Sequence, residues 1–357
     1  MFGKKKEKSP RGPLLGFLLF AIAFPLLFWN EGRAVRRAKD LAHGKDAVVA
    51  VKADKPAKAN DGKLVCVAGS AKVKKRPVDT AFAINADALS LRREVEMYQW
   101  KESSRGGGGA AGNKEENRTD HTYEKDWSST HVDSSGFRID GHENPPSIPY
   151  EGQTFLAPAV KLGGFKLGEA FVGDLKAETK YQVTTATLPA GGQMHGGGVY
   201  VGKSPSKPEV GDVRVSLFIA PPGQLTVVGR QDSGSLDPYK DEEMNDPVAL
   251  IQRGKKTPDE MFQDAQDANW FLSWALRVLG FLMMFGGLRI AARPLSAIGS
   301  IIPFVGKAIS LGTGLVAFFI ALALSAVTIA VAWIFYRPLL GILLLVAGIG
   351  AITMAVV

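Results

Sequence analysis

The last 88 residues of the chain, 270–357, contain no acidic residue and only five basic ones. The apolar runs between those charges are long enough to cross a bilayer, so part of this chain must fold in lipid. The first apolar run lies at the other end, at residues 13–29: seventeen residues without a charge, closed by Trp29. At about 1.5 Å per helical residue this length suffices for the hydrocarbon core, and a tryptophan at its end is an interfacial anchor. A cleaved signal peptide competes, because the tail before it is basic and Ala21-Ile22-Ala23 resembles a cleavage site. Such a cut would leave the apolar stub Phe24 to Trp29 at a new terminus, so a retained span is the reading adopted.

Three further spans are expected at the C-terminal end. One runs from Trp270 to Leu288, and its approach, Thr257-Pro258-Asp259-Glu260, has an N-cap hydroxyl, a proline at the first helical position and acids in the first turn. The helix therefore starts at 257 and runs on into the bilayer. The others, residues 313–336 and 339–357, are separated only by Arg337-Pro338, which reads as a tight helical hairpin. Residues 295–306 are apolar but too short to span and contain Pro303, so they are expected to lie in the interface or dip into it.

Charge sets the orientation. Of 43 Lys+Arg and 35 Asp+Glu, 33 and 34 fall in residues 30–269, so the net +8 belongs to the flanks of the apolar segments. It reads as membrane orientation, and a nucleic-acid surface is excluded as its explanation. The positive-inside rule puts the tail at 1–12, the loop at 289–312 and the C-terminus in the cytoplasm, and the domain at 30–256 on the other side. Arg33, Arg36, Arg37 and Lys39 oppose this assignment, although long translocated domains count less in the rule.

Between the first and second spans the apolar period is nearer two than 3.6. Short runs at 48–52, 63–68, 91–100, 154–160, 181–188, 213–219 and 225–229 predict a β-rich domain of eight to ten strands. Residues 103–118, with four glycines at 106–109, and residues 231–245 read as loops. In the run 91–100, Leu91, Val95 and Met97 share one face, and Glu94, Glu96, Tyr98 and Trp100 the other. The fold class is therefore an α+β membrane protein: four transmembrane helices, one N-terminal and three C-terminal, plus a large β-rich extramembrane domain.

Chemical signals are few. The single cysteine, Cys66, excludes an intramolecular disulfide framework and reads as a buried thiol. His195-Gly196-Gly197-Gly198 looks like an oxyanion-hole turn, yet no Gly-x-Ser-x-Gly elbow accompanies it, so a glycine-rich hairpin is expected. The five histidines lack zinc-ligand spacing, and the doublets Gly163-Gly164 and Gly191-Gly192 lack the lysine and hydroxyl of a phosphate cradle. No cofactor, metal or catalytic set is expected. Arg277 lies about 10 Å into the second span, where it either snorkels toward Trp270 and Trp274, with a cation–π contact to the latter, or binds carbonyls or lipid headgroups in a cavity between helices. Asn30-Glu31-Gly32-Arg33 reads either as an interfacial cluster or as a contact docking the β domain onto the membrane.

Four segments resemble the signature segments of the transmembrane protein 43 (LUMA) family: residues 30–34 after the first span, 91–100 with Arg92, Arg93, Glu96, Tyr98 and Trp100, 208–216, and 332–339 with Tyr336, Arg337 and Pro338. Their order and spacing match over nearly the whole chain. The resemblance implies a non-enzymatic membrane protein with a large non-cytoplasmic domain. In eukaryotic members it implies the endoplasmic reticulum and inner nuclear membrane, nuclear-envelope partners and self-association. The insert at 106–109, the Ala/Gly-rich composition and the end at Val357 suggest a bacterial relative in the inner (plasma) membrane, to which nuclear partners do not carry over. The function expected is a membrane-organising scaffold, partnered by the bilayer, by copies of itself and by other membrane proteins, with small residues (Gly341, Ala347, Gly348, Gly350, Ala351) allowing close helix contact. The alternative is an oligomeric pore or transport component lined by Arg277 and residues 295–306.

Overall fold

A computed structural model describes residues 11–106, 119–184, 186–291 and 303–339 of the chain. Among the described residues the α-helices with defined bounds are α1 (Arg11–Ala47), α2 (Glu169–Asp174), α3 (Pro258–Ala291) and α4 (Pro303–Tyr336), and the chain divides into a helical unit and a β unit.

In the helical unit, three helices are long and apolar enough to cross a membrane, at Pro13–Ala47, Pro258–Ala291 and Gly314–Tyr336. The expected fourth span, the tail through residue 10 and residues 295–302 lie outside the described residues. Two boundaries differ from expectation. The first helix does not stop at Trp29 but runs to Ala47, because Ala34, Val35 and Leu41 continue a buried stripe on the face that carries Ala23 and Leu27. Pro303 does not interrupt an interfacial segment; it opens α4, where its missing N–H has no intrahelical partner to lose. The N-terminus of α3 is as read: Thr257 and Glu260 form a reciprocal capping box.

α1 and α3 pack antiparallel along most of their length, with Gly16 beside Gly287, Leu27 beside Gly280, Asn30 beside Ser273 and Arg33 beside Asn269. Gly287 permits the closest approach, since a Cβ there would sit 2.6 Å from the Gly16 carbonyl oxygen. α4 runs antiparallel to α3, with Ser325 on Met284, and parallel to α1, with Tyr336 over Gly32. Large side chains such as Phe17, Leu282 and Phe319 remain exposed, as lipid-facing positions require.

The β unit has sixteen strands among the described residues, more than expected because several are only two to four residues long. The first sheet has the order β1 (Val49–Lys52), β2 (Leu64–Lys75), β8 (Ala159–Leu162), β9 (Phe165–Leu167), β15 (Ser235–Asp237), β14 (Gly223–Asp232), β16 (Leu250–Arg253). Because β14 also pairs with β2, strands β2, β8, β9, β15 and β14 close into a small barrel around Val67, Leu162, Phe165, Leu225 and Leu236, with Phe171 of α2 in the same core. The single thiol, Cys66 on β2, is buried, and burial pushes its pKa up to about 11.

The second sheet has the order β11 (Gly192–His195), β12 (Gly198–Val201), β13 (Val213–Ala220), β5 (Ser90–Gly106), β6 (Thr119–Ser128), with β10 (Thr179–Tyr181) on β13 and β7 (Gln153–Leu156) on β5. A two-stranded sheet, β3 (Val78–Asp79) and β4 (Ile84–Asn85), completes the unit. Leu91, Val95 and Met97 are buried in the second core, as their alternation predicts. The segment read as one strand at 154–160 is split between β7 and β8, and among the described residues of 181–188 only Tyr181 is in a strand. Ser103 to Gly106, read as loop, extend β5 in a long ribbon with β6; residues 107–118 lie outside the described residues. The expected loop at 231–245 contains β15. The glycine-rich hairpin at 195–198 is observed, its two-residue turn Gly196-Gly197 having φ of 58° and 77°, which only glycine adopts without strain.

Candidate functional site: a buried junction of three helices

α1 turns Asn30 and Glu31 to the same side as Ala23, Leu27 and Ala34, a spacing of three and four that keeps them on one stripe. Both polar side chains are fully buried. α3 answers with Asn269, Ser273 and Arg277 at intervals of four, and α4 with Trp333, one helical position from the buried Ala332.

The Glu31 carboxylate takes three charge-assisted hydrogen bonds. Arg277 donates Nε to Oε1 at 2.7 Å and Nη2 to Oε2 at 2.8 Å, and the Trp333 indole donates Nε1 to Oε2 at 2.7 Å. Such a bidentate fork is among the strongest protein hydrogen bonds, and it cancels both charges in one step. The Arg277 guanidinium also lies 4.9 Å from the Trp274 ring centroid and 5.9 Å from that of Trp333. One helical turn along, Asn30 donates to the Ser273 carbonyl at 3.0 Å, Arg33 donates to Asn269 at 2.9 Å and Asn269 donates to the Ala34 carbonyl at 2.9 Å. Gly32 leaves space for Tyr336, whose ring would be 2.5 Å from a Cβ at that position.

Arg277 therefore does not snorkel alone, although its cation–π contact with Trp274 is present; its partner is a carboxylate the sequence reading placed outside the first span. The hydrogen bonds of Asn30, Glu31 and the two Arg33 Nη atoms lie within the helical unit. Near the end of α1, the buried Asp40 carboxylate accepts the backbone N–H groups of Asn245 and Asp246 at 2.9 and 3.1 Å, and His43 meets Asp241 at 2.7 Å. The junction is flanked by an apolar groove of about 470 Å³ between α3 and α4 that includes Phe281, Ala326 and Ile329.

The β unit brings the other two signature segments together. Residues 90–97 of β5 pair antiparallel with β13, setting Glu96 opposite Arg214, whose Nε donates to it at 2.6 Å. Arg214 lies 4.6 Å over the Trp127 ring, Trp127 stands against Tyr98, and Arg92 covers Phe218 and pairs with Glu94. Trp100 exchanges both backbone hydrogen bonds with the Asn144 side chain, which stands in for a strand. Arg93 points the other way, into the core, and pairs with the buried Asp79. Arg337 and Pro338 follow the last residue of α4, in the helical unit.

Further polar contacts continue from that patch, since Tyr200 on β12 lies opposite Arg214 and against the Trp127 ring. Tyr200 donates to Asp212 at 2.6 Å, and burial followed by this carboxylate pushes the phenol well above its usual range. On the ribbon, the Tyr123 hydroxyl and then the Arg138 N–H hold Glu102 below the usual carboxylate range. Of the histidines read as solvated, His142 stacks on Tyr123 and His131 bonds the Pro145 carbonyl at 2.7 Å. Among the described residues no group of three or more His, Cys, Asp or Glu is arranged to hold a metal ion.

Sequence reasoning missed Trp333, Asp79, Asp40 and Asn144 as partners. The signal for Glu31 was present: it is the acid nearest the first span and Arg277 the only charge inside the second. The four signature segments thus form two contacts, 30–34 with 332–339 and 91–100 with 208–216.

The chain is similar to known proteins over most of its length. The family model described as Transmembrane protein 43 matches residues 97–338. Transmembrane protein 43 of Mus musculus is 32% identical over 351 residues, 95% of this chain and 88% of that protein. The Homo sapiens protein of the same name is 30% identical over 368 residues, 99% of this chain and 91% of its own. The Transmembrane protein 43 homolog of Drosophila melanogaster is 30% identical over 352 residues, 94% and 91% of the two chains. No solved structure matches. These names carry no catalytic activity, and the expectation of a bacterial source is not borne out, since these relatives are animal proteins. The match over most of the chain, by family model and by identity alike, makes this membrane protein a member of the transmembrane protein 43 family.

Proposed function

We propose that the protein is a non-enzymatic membrane-organising scaffold that self-associates, with the β unit on the non-cytoplasmic side as the surface offered to other membrane proteins. The observation that carries this reading is the Glu31–Arg277–Trp333 junction. Every polar atom of the Glu31 carboxylate is used to hold three helices, which suits a fixed anchor and leaves no free charge at that depth for a conduit. The outer face of β6, β5 and β13, where Arg92, Glu94, Glu96 and Arg214 stand beside half-buried Tyr98 and Trp127, suits partner binding: charges for selectivity and aromatic area for affinity. Self-association is supported by the family resemblance and by the small residues at 341–351, which lie outside the described residues. The pore alternative requires Arg277 to face a path, and its guanidinium is held by Glu31.

The test is reconstitution of the full chain into nanodiscs and liposomes. Oligomers by light scattering, without ion flux, are expected; a strict monomer, or flux above that of empty liposomes, overturns the reading. For topology, a reporter after Val357 should be cytoplasmic and one inserted at residues 106–109 extracytoplasmic, and both on one side would refute the four-span arrangement.

A further inference from the structure

Where α4 ends, a groove of about 490 Å³ opens between its last residues and α1. Its floor is apolar: Val35, Ala38 and Ala42 from one face of α1, with Pro338 and Leu339 opposite. Its rim is cationic. Lys39 and Arg337 line it, and the Arg36 guanidinium stands 5.9 Å from the centroid of the Tyr336 ring at its edge. Among the described residues no acidic side chain lines it, and neither Lys39 nor Arg337 has a carboxylate partner. The acidic side chains that flank it along α1 are both engaged elsewhere, Glu31 with Arg277 and Asp40 with the amides of Asn245 and Asp246.

The depth of this groove is fixed by its neighbours. Trp29, Trp270 and Trp274 are exposed aromatic residues, and Trp333 and Tyr336 close the α4 span, which marks the interfacial belt. Arg337 comes directly after that belt, and Arg36 lies seven residues beyond Trp29, about 10 Å along the axis. Phe335, 69% exposed, and Leu339, 85% exposed, continue the apolar surface toward the membrane. Three cations at headgroup depth, above an apolar channel and with no acid to balance them, match an amphiphile with an anionic head. A zwitterionic choline head would bring its own cation against Arg36, Lys39 and Arg337.

We propose that the groove seats an anionic phospholipid of the leaflet in which α4 ends, its phosphate held by Lys39 and Arg337 and an acyl chain descending past Phe335. This also gives a use to the basic cluster after the first span, which the positive-inside rule leaves unexplained. The proposal needs only that α1 and α4 span the bilayer and is independent of the scaffold reading.

The test is native mass spectrometry of the full-length protein in detergent with phosphatidylglycerol or phosphatidylcholine of matched acyl chains. Phosphatidylglycerol should be retained about thirtyfold better than phosphatidylcholine, the scale expected of two lysine or arginine contacts at a membrane surface. Lys39→Gln with Arg337→Gln should remove that preference, Lys39→Arg with Arg337→Lys should keep it, and Lys207→Gln, on the β unit, should not change it. Ala42→Trp, which fills the groove without altering charge, should lower binding of both lipids. Equal retention of the two lipids by the wild type, or an unchanged preference in the double Gln variant, overturns the proposal. Displacement of the lipid by a soluble acidic peptide overturns it too, because the groove would then be a protein contact.

Discussion

In the helical unit Glu31 and Arg277 are 246 residues apart in sequence, whereas in the β unit Asp79 and Arg93 are 14 apart. Both are buried guanidinium–carboxylate pairs, and their surroundings differ in completeness. Glu31 has both oxygens bound and a third donor from Trp333. Asp79 accepts Arg93 and the Ala81 N–H on Oδ1, while its Oδ2 is buried without a partner among the described residues. Arg93 compensates with a hydrogen bond to the Glu151 carbonyl at 2.9 Å and with the Phe82 and Phe155 rings. The local pair ties the β3–β4 excursion to β5; the distant pair exists only once three helices have assembled, so it sets their mutual register.

The largest expected effect follows from breaking the distant pair on one side. Glu31→Leu leaves Arg277 buried beside an apolar side chain and should cost about 3–5 kcal/mol. Adding Arg277→Leu should recover most of that loss, because two apolar residues of similar volume remove the uncompensated charge. Denaturant unfolding of the full-length protein in detergent, followed by helical circular dichroism, measures both. A double variant no more stable than Glu31→Leu would mean that the pair is not a unit.

Asp79→Asn should cost less, about 1–3 kcal/mol, since Oδ1 can still accept from Arg93 and only one oxygen was in use. Denaturant unfolding of the same full-length preparation, followed by circular dichroism, measures this loss. A loss equal to that of Glu31→Leu would erase the distinction between the two sites.

How much of this could be read from the sequence differs between the pairs for a physical reason. Span positions follow from hydropathy, which is a local sum, and the facing of Leu91, Val95 and Met97 follows from a period of two. The end of α1 did not, because Trp29 marks where the bilayer ends and nothing there stops a helix. Placing Glu31 outside the span hid its partner. Arg93 shares its parity with Leu91 and Val95, so its burial was implied, but Asp79 lies in a two-residue strand too short to carry a pattern. The barrel closure of β14 on β2 is likewise a long-range pairing that alternation along either strand does not encode.

A smaller effect is expected at Tyr200, whose hydroxyl serves a carboxylate that has other support. Asp212 also accepts the Glu209 N–H at 2.8 Å, so Tyr200→Phe should cost about 1 kcal/mol, below either ion pair. With its phenol pushed up by burial and by Asp212, Tyr200 should stay protonated through the pH range in which an unburied phenol ionises. An ultraviolet titration in which Tyr200→Phe removes part of the early step would contradict this.

The smallest effect concerns Glu102, an ion on the surface ribbon where water screens what burial intensifies at Glu31 and Asp79. Its carboxyl lies below the ordinary value of 4.5, first because of the Tyr123 hydroxyl and then because of the Arg138 N–H. The folded state thus holds this proton more weakly than the unfolded state, so its contribution is fully present above pH 4.5 and is lost as pH falls through the folded value. Melting temperature should therefore fall with acidification in this window, and Glu102→Gln should flatten part of that slope while converging on the wild type at the acid end. Asp126, Asp133 and Glu143 are also lowered by hydrogen bonds and will keep some slope in the variant, so the readout is the difference between the two curves. Parallel curves from pH 6 to pH 3 would remove Glu102 from the acid response. A difference as large as that of Glu31→Leu would mean that the ribbon, and not the helix junction, holds the ion this protein can least afford to lose.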